Sequence, residues 1–135
     1  MNRRSFLGLL AAALALPFRG YASLLARLLP GADPEALFAE RLLQAFSAQA
    51  SAAAIGRHYL SENPAEASRT RLLAAIREHL PASAVQTDAA ALRHSIREVI
   101  RDDFARARTE DVGGWMLSRT EARLCALAAL SRRRA

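Results

Sequence analysis

The chain is poor in the residues that usually carry chemistry. It has one cysteine, no lysine, one tryptophan and six glycines, and aromatics make up 6% of it. A single cysteine excludes a disulfide framework within the chain. Its setting, Leu124-Cys125-Ala126-Leu127, points instead to a small buried hydrophobe. There is no C-x-x-C, no C-x-x-C-H, no H-E-x-x-H and no glycine-rich phosphate loop. Those absences remove the familiar spacings for zinc, haem and nucleotide phosphates. His58, His79 and His94 lie 21 and 15 residues apart and read as surface or satisfied side chains. No catalytic residue, metal ligand or cofactor site is read from the chain, so an independent enzyme is not expected.

What the chain does have is alanine, leucine and arginine. Apolar residues make up 52% of its 135 positions, enough for one domain with a modest core. Alanine, leucine and arginine lose little on entering a helix, so the composition favours helix throughout. All 19 basic residues are arginine, and the formal net charge is +6. Three of them (Arg3, Arg4, Arg19) fall in the first 22 residues, leaving 16 against 13 acids in the rest. Acids and arginines alternate there, as in Arg101-Asp102-Asp103. A nucleic-acid binder needs a dense basic face, so no nucleic-acid partner is expected.

The amino terminus reads Met1-Asn2-Arg3-Arg4-Ser5-Phe6-Leu7-Gly8. Arg3, Arg4, Phe6 and Leu7 resemble the twin-arginine export signal, in which paired arginines precede a Phe-Leu step. An apolar run from Leu7 to Leu16 follows and ends at Pro17. It is too short to span a bilayer as a helix and fits a signal's hydrophobic region. Arg19 and the small residues Gly20 and Ala22 suit cleavage before Ser23. Residues 1–22 are therefore expected to be a twin-arginine signal peptide and 23–135 a helical domain. The resemblance implies a periplasmic location, the twin-arginine translocase as a partner, and export in the folded state. Membrane contact is expected only in transit or through the signal.

The remainder is expected to form an all-α fold, a small antiparallel bundle of four to five helices. Asp33 and Pro34 start the first, with Leu37, Phe38, Leu42, Ala45 and Phe46 on one face. Ser47–Ser61 is a second, small-sided around Gly56, which suits a close backbone approach. Asn63-Pro64-Ala65-Glu66 reads as a helix start, with Glu66 reaching back to the cap. Leu72, Leu73, Ile76 and Leu80 form its buried stripe. The clearest amphipathic segment begins at Thr87 or Asp88, with Leu92, Ile96, Val99, Ile100 and Phe104 facing inward. It is expected to be central to the core. Gly113-Gly114 marks a loop beside a short extended piece, and Ser118 with Glu121 forms a capping box for a last helix. Arg132, Arg133 and Arg134 suit that helix's negative end.

The run Gly113-Gly114-Trp115-Met116-Leu117-Ser118-Arg119-Thr120-Glu121-Ala122 is the most distinctive in the chain. Trp115 either closes one end of the bundle or, with Met116 and Leu117, contacts another protein. The run resembles the ending of a group of small twin-arginine-signal proteins of Gram-negative bacteria. More distantly the chain is similar to the small subunits of flavin-dependent sugar and alcohol dehydrogenases. That resemblance implies a helical, cofactor-free escort for a larger oxidoreductase subunit. The alternative is a stand-alone periplasmic binding or structural protein, held to the membrane if the signal stays uncleaved.

Overall fold

The computed structural model describes residues 33–45 and 48–133. The export-signal residues Arg3, Arg4, Phe6 and Leu7, together with Phe46 and Arg134, lie outside them. Within this range the chain is a small helical domain carrying one two-stranded hairpin. Its elements are α1 (Pro34–Gln44), α2 (Gln49–Glu62), α3 (Arg69–His79), α4 (Ala89–Ala105), β1 (Thr109–Val112), β2 (Trp115–Ser118) and α5 (Arg119–Arg132). Short 3₁₀ turns at Pro64–Glu66 and Ala82–Val85 link α2 to α3 and α3 to α4. No helix among the described residues is long and apolar enough to cross a membrane.

The centre of the core is α5, not α4. In α4 only one stripe is buried: Leu92, Ile96, Val99 and Asp103. In α5 the buried set is Thr120, Ala122 and the unbroken run Leu124–Ala129. A helix covered on all sides sits inside the bundle, and α5 packs against each of the other four helices. Its broadest partner is α2, whose small face includes Ala52, Ala53 and Gly56. A Cβ added to Gly56 would lie 1.9 Å from the Cys125 carbonyl oxygen, so only glycine permits this approach. Burial pushes the Cys125 thiol up to about 11, which keeps it protonated and inert at neutral pH.

Three further features come out differently from expectation. Phe104 is 46% exposed, whereas Asp103 is 1% exposed. On a helix of 3.6 residues per turn, position 103 lies about 20° from Leu92, and position 104 about 120° away. The stripe therefore runs through the carboxylate. The second difference is at Asn63, which opens only the short 3₁₀ turn Pro64–Glu66, without a side-chain capping bond, and not the α-helix that follows. It ends α2, its Nδ2 donating to the Tyr59 carbonyl at 3.1 Å. Ser68 caps α3 instead. The Glu66 carboxylate, freed from any capping role, accepts from Arg123 Nη2 at 2.8 Å and Arg123 Nε at 3.1 Å. It also accepts from the Tyr59 hydroxyl at 2.7 Å. This fork ties the α2–α3 link to the middle of α5. The hydrogen bonds from Arg123, then Tyr59, hold the Glu66 carboxyl below its ordinary range. Leu37, expected on the inner face of α1, is 42% exposed, while Phe38, Ala39 and Leu42 are buried.

Candidate protein-interaction site

The hairpin before α5 follows from two glycines. Gly113 and Gly114 have φ of 59° and 84°, the left-handed values that a tight two-residue turn needs at both positions. Asp111 Oδ1 accepts from the Gly114 amide at 2.8 Å and closes the turn. The register pairs Thr109 with Ser118, Glu110 with Leu117, Asp111 with Met116 and Val112 with Trp115. Buried Val112 and Ser118 anchor the ribbon to the body.

Its base is clamped by Asp103. This buried carboxylate accepts from the Thr120 amide at 2.9 Å and from Arg108 Nε at 2.8 Å. Arg108 Nη2 also reaches Asp102 at 2.6 Å. Burial pushes the Asp103 carboxyl upward, but the bonds from Thr120 and Arg108 outweigh it and leave the group depressed. The end of α4 is thus pinned to the first turn of α5, with the hairpin between them. Arg119 Nε to Glu110 Oε1, at 2.9 Å, straps β1 to the helix. The turn itself rests on α2, where His58 lies 3.2 Å from the point a Gly113 Cβ would occupy. Ser118 then starts α5 through the expected reciprocal box: the Glu121 amide to Ser118 Oγ at 3.0 Å, and the Ser118 amide to Glu121 Oε2 at 2.9 Å.

On this braced ribbon Trp115 is 65% exposed and Met116 61% exposed, while Leu117 is half-buried. Adjacent strand residues point to opposite faces, so the indole and the thioether flank the tip like the two sides of a peg. Trp115 does not close the end of the bundle. Of the three residues expected to meet a partner, two stand in solvent and Leu117 roots them.

The structure also brings together two histidines that the sequence left apart. His79 and His94 line an open groove of about 410 Å³ with Pro81, Glu98, Val99 and Asp102. His79 Nδ1 is already engaged with the Ala75 carbonyl, at 3.1 Å. Among the described residues no three His, Cys, Asp or Glu side chains converge to hold a metal ion. The supporting residues Asp103 and His58 escaped sequence reading. The first had a signal, a carboxylate at a buried stripe position; the second had none.

No protein-family model, no curated protein and no solved structure matches this chain.

Proposed function

We propose that the protein is a non-catalytic accessory subunit that travels folded, bound to a larger cofactor-bearing oxidoreductase of the periplasm, and grips it through the hairpin tip. The observation that carries this reading is the exposure of Trp115 and Met116 on a hairpin fixed at its base, turn and exit. Large apolar side chains held rigidly in water lose little conformational freedom on binding and gain a full desolvation. Tryptophan is also the residue type most enriched where binding energy concentrates. The amino-terminal Arg3-Arg4-Ser5-Phe6-Leu7 run supports export of a preassembled complex through the twin-arginine route.

Capture of the tagged chain from periplasm tests this. The expected companion carries a redox cofactor, read by flavin or haem absorbance in the eluate. Arg3→Lys with Arg4→Lys should strand both proteins in the cytoplasm. Recovery of the chain alone, in stoichiometric purity and without bound chromophore, would refute the escort role.

A further inference from the structure

We propose that the partner adds an extended segment of its own chain to the outer edge of β2, as a third strand of the hairpin. This inference rests on the escort reading and names how the partner is held.

The hydrogen-bond register decides which main-chain groups are free. The Arg119 amide donates to the Arg108 carbonyl at 2.9 Å, so residues 108 and 119 form a hydrogen-bonded pair. Opposed residues in an antiparallel ribbon alternate between bonded and non-bonded pairs. With Thr109 opposite Ser118, the next bonded pairs are Glu110–Leu117 and Val112–Trp115. Thr109, Asp111, Met116 and Ser118 therefore turn their amides and carbonyls out of the ribbon. On β2 the Ser118 amide already donates to Glu121 Oε2 at 2.9 Å, and the residue is fully buried. Met116 is left with both main-chain groups unpaired, on a residue 61% exposed. A strand laid along β2 can exchange two hydrogen bonds with it.

The two edges of the hairpin differ in how they are guarded. Open edges are normally blunted by charge, proline or a cover, because their unpaired groups template further pairing. β1 carries Glu110 and Asp111. The edge of β2 reads Trp115-Met116-Leu117, with no charge and no proline. Toward the tip, a Cβ built on Gly114 would meet nothing within 4 Å, so the approach is open. Trp115 and Leu117 lie two residues apart and share a face. Residues of the added strand opposite them must be apolar, and β-branched or aromatic side chains make the best cross-strand pairs. The residue between those two, opposite Met116, must keep its own amide and so is not proline. The occupant is thus an extended, uncharged segment with apolar residues at two alternate positions.

A second copy of this chain does not fit the edge. Symmetric antiparallel pairing about Met116 would set the copy's Gly114 beside Ser118. Ser118 is 0% exposed, so the copy's turn would run into the body. A segment of another protein can bend away before that point.

Hydrogen exchange of the full chain, alone and in the complex captured from periplasm, tests this. In the chain alone the Met116 amide should exchange at least about tenfold faster than the Leu117 amide, which the hairpin holds. In the complex the Met116 amide should slow by about tenfold or more, while the Asp111 amide on the opposite edge stays fast. Met116→Pro removes the outward amide at a position where an edge strand tolerates proline. It should leave the thermal midpoint unchanged and lower the recovered partner by about tenfold, the worth of one to two main-chain hydrogen bonds. Met116→Leu, which keeps the amide and the apolar volume, should restore recovery. A Met116 amide as fast in the complex as in the chain alone would overturn the inference, as would full recovery of the partner by Met116→Pro. Either result leaves the escort reading standing, because the partner is still bound. A Met116→Pro variant that melts several degrees lower would also overturn it, since the amide would then belong to the hairpin itself. Protection of Met116 in the chain alone, at doubled mass, would give the edge to a second copy instead. Recovery of the wild type without a partner refutes the escort reading and this inference with it.

Discussion

At the seam between α2 and α5 one added carbon has nowhere to go; at the hairpin tip an indole stands in water. Both regions belong to the same helix system, and both depend on glycine. Gly56 is there because the Cys125 carbonyl occupies the space a Cβ would need. Gly113 and Gly114 are there because the turn demands positive φ. The first glycine removes side-chain volume to close an interface inside the molecule. The other two shape the backbone so that side chains project out of it. The difference separates residues that hold the fold from residues available to something else, and that separation can be challenged by mutation.

The largest effect belongs to the seam. Gly56→Val should destabilise the domain by about 3 kcal/mol or more, because backbone atoms cannot yield as a flexible side chain would. Urea denaturation followed by circular dichroism measures it. The Cys125 thiol provides a second readout: nearly unreactive to thiol reagents in the wild type, it should label rapidly in this variant. A change under about 0.5 kcal/mol, the ordinary range for surface substitutions, would mean that the helices are not in contact there.

Next come the two carboxylates that link distant elements. Arg123→Ala leaves Glu66 half-buried without its main partner and should cost about 2 kcal/mol, less than a fully buried pair because Glu66 remains 28% exposed. Asp103→Asn should cost a similar amount and loosen the hairpin, seen as faster amide exchange at Val112 and Leu117. Both carboxyls are held below their ordinary values. Carboxyls of this kind contribute stability that is complete above the unfolded value, about 4, and is lost as the pH falls through the lower folded value. Acid titration of the wild type should therefore show a loss of stability below about pH 4, and Asp103→Asn should flatten that slope.

Smaller again is Ser118→Ala, which removes one half of the capping box and should cost about 1 kcal/mol. Smallest is the tip. Trp115→Ala with Met116→Ala should change stability by no more than about 0.5 kcal/mol.

How much of this was legible depends on how local the cause is. The capping box at Ser118 and Glu121 and the turn at Gly113-Gly114 are set by residues within a few positions of one another, and spacing reveals them; at Gly56 the small-sided run shows that a backbone comes close, but not that it is the one at Cys125. The Asp88 cap belongs with them; its carboxylate accepts from the Ala91 amide at 2.8 Å. The Glu66–Arg123 fork joins residues 57 apart. From spacing alone, Glu66 had a nearer use as a capping partner for Asn63. Asp103 is the instructive case. An acid beside another acid and an arginine looks like solvated surface. Yet its position on the Leu92–Ile96–Val99 stripe already required a buried partner. The centrality of α5 was hidden for the opposite reason. A run of alanine and leucine without a polar face gives no periodic signal, although full burial is what such a run implies. The exposure of Trp115 could not be read at all, since an indole after two glycines serves a core as readily as an interface.

The most direct test compares the tip with the body in one preparation. Wild type and the Trp115→Ala/Met116→Ala variant are exported, captured from periplasm and measured for both thermal midpoint and bound cofactor-bearing partner. The account predicts equal midpoints and loss of the partner from the variant alone. A variant that melts several degrees lower, or one that keeps its partner in full, would contradict it.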